Sequence, residues 1–376
     1  MTKPRLRIGL IGSGFMGKTH AFGYATAARV FDLPFQPDLA CLADVTEESA
    51  AKAAAALAFA RSTGDWRALV AAPEIDVVNI TAPNALHKEM ALAAIAAGKH
   101  VYCEKPLAPL AADAREMAEA AEKKGVKTQV GFNYLCNPMF GLAREMIAAS
   151  ELGEIRGYRG LHAEDYMADP LSPFTFRHYP AGGGALADIG SHALATAEFV
   201  MGPAAGPITR VLGDCVTVIT ERPDGKGGTR RVEVDDIGRA FLRFANGAAG
   251  SIEANWIATG RKMQHAFEVF GTKGALVFTQ ERFNELHFYS TADHRGRQGF
   301  RRIEAGPDHP PYGLFCVAPG HQLGFNDLKA IEVAGYLEAI AGRRAEPFNF
   351  RAGLRIQTLV EAIQDSSRAA AWRDVQ

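Results

Sequence analysis

The chain has no excess of charge of either sign, since 41 Lys and Arg residues stand against 42 Asp and Glu residues. Without a basic tract, nothing favours nucleic acid as a partner. Apolar runs are short, and none approaches the roughly 18 residues that a membrane span needs. The first apolar stretch ends at Gly12, which predicts a strand and not a signal peptide. These absences predict a cytoplasmic protein that binds neither nucleic acid nor membrane.

Cysteine is also scarce. The five cysteines lie far apart and no two are spaced as CxxC, which predicts reduced thiols and no disulfide framework. His287 and His294 have no partner at a zinc-ligand spacing, so we predict no metal site.

The order of apolar runs predicts an α/β protein of more than one domain. At 376 residues, the chain is longer than a single core serves comfortably. Strands and helices alternate in the first third, which is typical of a doubly wound parallel sheet. The predicted strands cover residues 6–11, 39–43, 76–80, 100–103 and 126–132. Between residues 208 and 303 the strands follow one another through tight turns, among them a single strand over residues 229–244, which predicts a mainly antiparallel sheet in an α+β domain. Helices over residues 326–341 and 352–370 close the chain. We place the boundary at residue 128, so that residues 1–128 bind a nucleotide and residues 129–376 form the second domain.

A glycine-rich turn follows the first strand and opens the first helix. Gly12 makes the tight turn, Gly14 lets the backbone approach a pyrophosphate, and Gly17 lets the helix pack on the strand. The helix N-terminus then offers free N–H groups to the anion. A GxGxxG pattern alone is weak, but its position after the first strand favours a dinucleotide site over a purely structural turn.

Asp44 ends the second predicted strand. It comes 27 residues after Gly17, against a usual gap of about 20, because residues 33–37 add a loop. A carboxylate there accepts hydrogen bonds from the adenosine ribose and repels a 2′-phosphate, which favours NAD over NADP. The alternative is that Asp44 only caps the helix that begins near Glu47.

Two further motifs follow predicted strands at the edge where ligands bind. Residues 81–84 bind the cofactor or, through Asn84, cap the next helix. Pro106 keeps Lys105 out of helical geometry and so fixes a cation that can stabilise a developing alkoxide. The alternative is that Lys105 is a surface lysine paired with Glu104.

Asp188 and His192 lie four residues apart on the helix that the triple glycine of residues 182–184 opens. They therefore share a face, and the carboxylate can orient the imidazole. His192 can then take the proton of a carbinol as a general base. The alternative is an Asp–His pair that only joins helices.

Together these motifs resemble the glucose-fructose oxidoreductase and inositol dehydrogenase family over nearly the whole chain. The resemblance implies an N-terminal Rossmann domain and a C-terminal domain with a large open sheet, whose face commonly builds homodimers and homotetramers. It implies NAD(P)-dependent chemistry on sugars and cyclic polyols. Stretches at residues 132–134, 169–173, 234–236 and 244–247 resemble the inositol and levoglucosan-type sugar dehydrogenases most.

The resemblance also assigns roles to individual residues. It makes Lys105, Asp188 and His192 the catalytic set, with the histidine as acid and base. The implied cofactor positions are Gly12, Gly14, Phe15, Met16, Gly17, Asp44, Thr81, Pro83, Asn84, His87, Glu104 and Lys105.

A polyol pocket needs several fixed donors and acceptors, because each buried hydroxyl must be satisfied. Arg177 suits vicinal diols, whereas His321 is either a solvated loop residue or a contact to its own or a neighbouring site. No Lys and Arg cluster favours a sugar phosphate, so we expect a neutral substrate. The predicted substrate contacts are Lys105, Asn133, Tyr166, Arg177, Asp188, His192 and His321.

Three hypotheses follow. The first is an NAD-dependent dehydrogenase that oxidises a secondary hydroxyl of a neutral inositol or pyranose to a ketone or lactone. The second is a relative that retains NAD and uses transient oxidation to cleave glycosides or exchange hydride between sugars. The third is a non-catalytic NAD sensor, which needs only the glycine turn and Asp44.

Overall fold

The computed structural model describes residues 3–375, and these fold as two compact units. The first unit runs to Cys136 and also takes in Gly324–Arg355, whereas the second comprises Asn137–Leu323 and the chain from Ile356 on. In the described residues no helix has the length and apolarity needed to cross a bilayer. No group of three His, Cys, Asp or Glu side chains there is arranged to hold a metal ion.

A six-stranded parallel sheet forms the centre of the first unit, with strand order β3-β2-β1-β4-β5-β6. This confirms the predicted doubly wound α/β fold. The order reverses between β1 and β4, so the loops after these strands lie at the switch point where such sheets bind ligands. The strands are β1 (Arg5–Ile11), β2 (Gln36–Ala43), β3 (Arg61–Thr63), β4 (Val77–Ile80), β5 (His100–Cys103) and β6 (Thr128–Val130); the helices are α1 (Phe15–Val30), α2 (Glu47–Leu57), α3 (Trp66–Ala71), α4 (His87–Ala96) and α5 (Ala111–Lys124).

Small side chains let the helices of this unit pack closely on the sheet. Leu10 of β1 and Leu42 of β2 share one buried cluster with Ala21 of α1 and Ala50 of α2, and Phe59 closes it. The sequence pattern did not predict β3 or α3. The three polar, partly exposed residues of β3 contain no apolar run that could indicate a strand.

A nine-stranded sheet dominates the second unit. Its order is β16-β15-β14-β13-β7-β12-β11-β8-β17, and among these neighbours only β7 and β12 run parallel. The large, mainly antiparallel sheet is therefore confirmed. Its elements, with a separate β9–β10 hairpin, are α6 (Pro138–Ala148), β7 (Ile155–Ala163), α7 (Ser191–Ala205), β8 (Ile208–Val216), β9 (Glu221–Pro223), β10 (Thr229–Arg231), β11 (Ile237–Phe244), β12 (Ala249–Asn255), β13 (Gln264–Gly271), β14 (Gly274–Thr279), β15 (Glu285–Ser290), β16 (Arg301–Glu304) and α8 (Tyr312–Phe315).

The chain ends with α9 (Phe325–Ile340), α10 (Phe350–Ala369) and the short strand β17 (Arg373–Asp374). Helix α9 belongs to the first unit, although the sequence pattern grouped it with residues 129–376. The proposed functional division at residue 128 stays a prediction.

The single strand expected over residues 229–244 is wrong, because the structure interrupts it between β10 and β11. In the interruption Val232 and Val234 join a buried cluster with Trp256. The two carboxylates that follow, Asp235 and Asp236, are also buried. Because apolar and acidic side chains are both buried here, the segment lacks the alternation of buried and exposed residues that a strand shows.

Candidate active site

The glycine turn has the shape that the sequence predicted. Gly12 has a φ of +95°, a conformation that favours glycine. A Cβ at Gly17 would lie 2.2 Å from the carbonyl oxygen of Gly12, so only glycine lets α1 start this close to β1. A Cβ at Gly14, in contrast, would meet no heavy atom of the described residues within 4 Å. The turn is therefore tight on its inner side and open at Gly14.

Asp44 does not cap α2. The N-cap of this helix is Thr46, whose Oγ1 accepts the N–H of Ser49 at 3.1 Å in a capping box, so the capping alternative for Asp44 is wrong. The Asp44 carboxylate accepts the hydroxyl of Ser13 from the glycine turn and the N–H of Val45 at 2.7 Å. These bonds fix an acid beside the turn without using it for the helix.

Thr81 and His87 brace the loops at this edge of the sheet. Thr81 Oγ1 donates to the carbonyl oxygens of Ile11 and Gly12 at 3.0 and 2.9 Å. His87 is buried, with its ring nitrogens 2.9 and 3.0 Å from the carbonyl oxygens of Ala82 and Pro106. The hydroxyl of Thr81 and the ring of His87 both contact backbone carbonyls. Each residue therefore has a structural role beside the predicted cofactor contact. Between them lie Pro83 and a short 3-10 turn, Asn84–Leu86, ahead of α4.

Lys105 lies two residues after the end of β5 and is half-buried. Its backbone N–H donates to Glu104 Oε2 at 3.2 Å. The other carboxylate oxygen, Oε1, lies 2.9 Å from both His20 Nε2 and Lys329 Nζ. Glu104 is therefore a buried anchor behind the loop, and the alternative pairing of its carboxylate with the Lys105 ammonium stays a prediction.

The sequence reasoning missed the charged groups behind this anchor. Lys329 of α9 is fully buried, and its ammonium donates to Tyr102 at 3.0 Å, to Glu104 and to Glu332 at 2.7 Å. Burial would raise the pKa of Glu104, but Lys329 and His20 lower it below its ordinary value. Burial would lower the pKa of Lys329, yet the two carboxylates raise it. Both partners are therefore ionised. The only signal in the sequence was Lys329 and Glu332, three residues apart in a mostly apolar helix.

In the second unit a distinct local structure carries Asp188. Residues Leu186–Gly190 form a π-helical turn that runs directly into α7, a feature often found at functional sites. Asp235 holds its start, because Oδ2 accepts the N–H of Leu186 at 2.7 Å. Gly184, with a φ of +96°, leaves room for this carboxylate, since a Cβ there would lie 2.3 Å from Asp235 Oδ1.

We predict that Asp235→Asn gains stability relative to the parent protein as the pH rises from 4 to 7. Burial raises the pKa of Asp235 from 3.8 to about 6, so between these values the folded chain keeps a proton that the unfolded chain has lost. The free energy of unfolding of the parent therefore falls with rising pH, and the asparagine variant escapes this fall. At about 1.4 kcal/mol per pKa unit, the relative gain is about 2–3 kcal/mol.

Urea unfolding of both proteins at pH 4 and pH 7 measures this gain. Any constant cost of the amide, such as a weaker bond to Leu186, cancels in the comparison between the two pH values. A difference between the proteins that stays the same at both values would contradict the assignment.

Asp188 is the centre of a polar cluster with two predicted substrate residues. Its Oδ2 accepts the hydroxyl of Tyr166 at 2.8 Å and the Nε–H of Arg177 at 2.8 Å. The guanidinium of Arg177 also lies over the ring of Phe176, 4.5 Å from its centroid. Tyr166 is 40% exposed as a whole, but desolvation of its hydroxyl and the nearby Asp188 charge raise its pKa well above its ordinary value, so its hydroxyl stays a donor. The structure thus brings three predicted residues together.

His192 lies in a group of three buried histidines, of which the sequence reasoning found only one. Its ring centroid is 5.6 Å from that of His162 and 6.2 Å from that of His265. His162 Nδ1 lies 3.0 Å from the carbonyl oxygen of Ile189, and its Nε2 lies 2.9 Å from Glu164 Oε1. His162 therefore braces the turn between Asp188 and His192. The predicted pairing of Asp188 with His192 stays a prediction.

The remaining predicted contacts are placed differently. Asn133 is buried in the first unit, and in residues 3–375 its Nδ2 has no hydrogen-bond partner. A buried amide nitrogen without a partner is what a bound polar group would satisfy. His321 is an exposed loop residue of the second unit, where its substrate role stays a prediction.

The first unit fits a dinucleotide. Helix α1 has no side-chain cap and no acidic residue in its first turn within the described residues, so its N–H groups are available to a pyrophosphate. The open side of Gly14 leaves space for that group, and Asp44 offers oxygens to a ribose. Gly12, Phe15, Met16 and Gly17 supply the rest of the turn.

Comparison with known proteins agrees with this geometry. Residues 6–132 match the profile of the oxidoreductase family with an NAD-binding Rossmann fold, and residues 140–277 match the GFO/IDH/MocA C-terminal domain. The levoglucosan dehydrogenase of Pseudarthrobacter phenanthrenivorans is 38% identical over an alignment of 387 positions, gaps included, that covers 98% of each chain.

Solved structures give the same result. A levoglucosan dehydrogenase in complex with NADH and levoglucosan has a TM-score of 0.94 at 38% identity, covering 99% of each chain. An NAD binding oxidoreductase from Klebsiella pneumoniae has a TM-score of 0.93 at 43% identity, also covering 99% of each chain.

The fold and the family match identify the class of the protein, which is an oxidoreductase with an NAD-binding Rossmann fold. The chain belongs to the GFO/IDH/MocA family of sugar- and inositol-type dehydrogenases. The predicted family, fold class and enzyme class are confirmed.

Proposed function

We propose that the protein is an NAD-dependent dehydrogenase that oxidises a secondary hydroxyl of a neutral cyclic polyol or pyranose to the ketone or lactone. The proposal rests above all on the cluster of Asp188 with Tyr166 and Arg177. A protein that only senses NAD has no need of such a cluster, so the catalytic hypothesis is favoured over the sensor.

The proposed roles follow from the chemistry of each side chain. Lys105 donates a hydrogen bond to the reacting hydroxyl oxygen and stabilises the negative charge that develops there. His192 takes the hydroxyl proton as general base. Asp188 holds Tyr166 and Arg177 in place through its hydrogen bonds to them. When bound, the nicotinamide ring supplies the acceptor for the hydride of the carbinol carbon.

Charge balance in the second unit supports a neutral substrate. The Arg177 guanidinium is matched by the Asp188 carboxylate at 2.8 Å, so this pair leaves no net cation to bind a phosphate. The donors of Arg177 and the hydroxyl of Tyr166 instead suit sugar hydroxyls. The 38% identical levoglucosan dehydrogenase supports a substrate of the pyranose or anhydrosugar class.

An initial-rate screen tests the proposal. Inositols, aldoses, pyranosides and anhydrosugars are offered with NAD or NADP, and the absorbance of the reduced nicotinamide is followed. Turnover of one or a few polyols is expected. No turnover across the panel, with nicotinamide already bound in the purified protein, would overturn it in favour of the NAD-retaining glycosidase or hydride exchanger.

Asp44→Ser is predicted to lower the preference for NAD over NADP about 10- to 100-fold in kcat/KM. The carboxylate accepts ribose hydroxyls and repels a 2′-phosphate, and one lost charged contact of this kind is worth about 1.5–3 kcal/mol. Steady-state kinetics with both cofactors measure the ratio. Asp32→Ser, an equal change of charge at an exposed residue paired with Lys3, serves as the control. An unchanged ratio in Asp44→Ser would exclude this role.

We also propose that the protein forms a homodimer or homotetramer through the open face of its nine-stranded sheet. Phe241 of β11 is 60% exposed on this face, and its cross-strand neighbours are Leu212 and Ser251. An exposed apolar side chain of this size on an interior strand of a sheet supports a surface that another copy covers. We further propose a cytoplasmic location.

A further inference from the structure

A buried ionic cluster lies directly behind the loop that carries Lys105. We call the side chains of His20, Tyr102, Glu104, Lys329 and Glu332 the anchor cluster. All five are at least 95% buried. Lys329 Nζ is its centre, with Glu104, Glu332 and Tyr102 within 3.0 Å.

The surrounding backbone is shaped to admit this cluster. A Cβ at Gly23 of α1 would lie 2.9 Å from Lys329 Cγ, and a Cβ at Gly131 would lie 2.4 Å from Glu104 Oε1. Glycine at these two positions therefore gives the long side chains of Lys329 and Glu104 their paths to each other. The cluster is a built feature of the first unit and not an accidental contact.

The hydrogen bonds of Glu104 connect the cluster to the Lys105 loop. Oε1 is fixed by His20 and Lys329, both at 2.9 Å, while Oε2 accepts the backbone N–H of Lys105 at 3.2 Å. His20 is held in turn by Asn79 of β4, whose Oδ1 lies 3.2 Å from Nδ1. A carboxylate with both oxygens bound cannot rotate freely, so it holds the start of the loop in place.

We propose that Lys329 is a positioning residue, which acts through Glu104 to place Lys105 for the reaction. This inference rests on the proposed function, in which Lys105 contacts the substrate. Lys329 lies more than 200 residues from the loop along the chain and reaches it through the carboxylate of Glu104.

Stability alone does not account for a cluster of this kind. A buried ion pair is often no more stabilising than apolar side chains of the same volume, because desolvation offsets the attraction between the charges. Its directional bonds, however, define one geometry where apolar packing tolerates several. Misplacement of a catalytic group by about 1 Å can cost about 100-fold in rate.

Lys329→Met is the first test variant, and the double variant Lys329→Met with Glu332→Gln is the second. The double variant removes one cation and one anion together. We therefore expect it to fold even if the single variant does not, because the single variant leaves Glu104 and Glu332 buried without their cation. Lys99→Met is the matched control. Lys99 is also buried in the first unit, but its ammonium donates to the carbonyl oxygens of Ala72 and Ile75.

The readouts are kcat, KM for the polyol, the Kd for NAD by fluorescence titration, and the melting temperature. We expect the folded Lys329 variants to lose about 10- to 100-fold in kcat, with the Kd for NAD within about threefold of the parent. The control should keep its kcat. A merely structural cluster would instead lower the melting temperature and weaken NAD binding, because the glycine turn belongs to the same unit.

Glu104→Gln gives a further check, because Lys329 acts through this carboxylate. In the Glu104→Gln background, Lys329→Met should cost little more in kcat. The proposal would be overturned if the losses in kcat from Glu104→Gln and Lys329→Met were fully additive. It would also be overturned if the double variant Lys329→Met with Glu332→Gln folded and kept the parent kcat. Lys105→Met separates this failure from that of the proposed function: if it also keeps turnover, the catalytic role of Lys105 itself is wrong.

Discussion

Lys105→Met is expected to lower kcat about 100- to 1000-fold, while the Kd for NAD stays within about threefold of the parent value. Methionine keeps much of the length and apolar volume of the lysine stem, so the half-buried position remains filled. What is lost is a cation that donates to the reacting oxygen. Because the negative charge on that oxygen is largest in the transition state, the loss falls on kcat and not on cofactor binding.

Single-turnover and steady-state kinetics on the best substrate of the screen measure this loss. The control is Lys88→Met, which removes a lysine of the same unit that pairs with Asp113 and Glu116 on the surface of the helices. A variant that loses NAD binding in the same proportion as kcat would contradict the catalytic role, because it would mean that Lys105 holds the cofactor.

The sequence predicted the fold and the shape of the glycine turn well, because both depend on local patterns. The glycine turn is defined within six residues by steric contacts that only glycine avoids, as at Gly17. The central strands β4 and β5 are buried on both faces, so their apolar runs are easy to recognise. Asp44 directly follows the second strand, so the order of strands along the chain was enough to predict its position beside the turn.

The residues that the sequence did not predict act over long distances in the chain. Lys329 reaches Glu104 from a helix near the C-terminus, and His162 lies beside His192 because a strand passes under α7. No local pattern connects such pairs, since only the tertiary fold brings them together. The π-helical turn at Asp188 was missed for a related reason: it depends on Asp235, which is far along the chain.

His192→Ala is expected to lower kcat about 100- to 10,000-fold, without a comparable change in the Kd for NAD. The imidazole is 5% exposed, so its removal leaves a cavity and takes away the base that accepts the hydroxyl proton. His192→Gln keeps a side chain of similar size and hydrogen-bonding ability but cannot accept that proton. Both variants should therefore be slow, although only alanine opens space for an added base.

Rescue by free imidazole makes the two variants distinguishable. Imidazole in solution should restore part of the turnover of His192→Ala, because it can occupy the cavity and take the proton, and it should leave His192→Gln unchanged. His287→Ala, on a strand of the same unit, is the control and should match the parent with or without imidazole. A general loss of packing among His162, His192 and His265 would instead lower the melting temperature without rescue. If His192→Gln turned over as fast as the parent, hydrogen bonding and not proton transfer would be the function of this side chain, and the base would have to lie elsewhere.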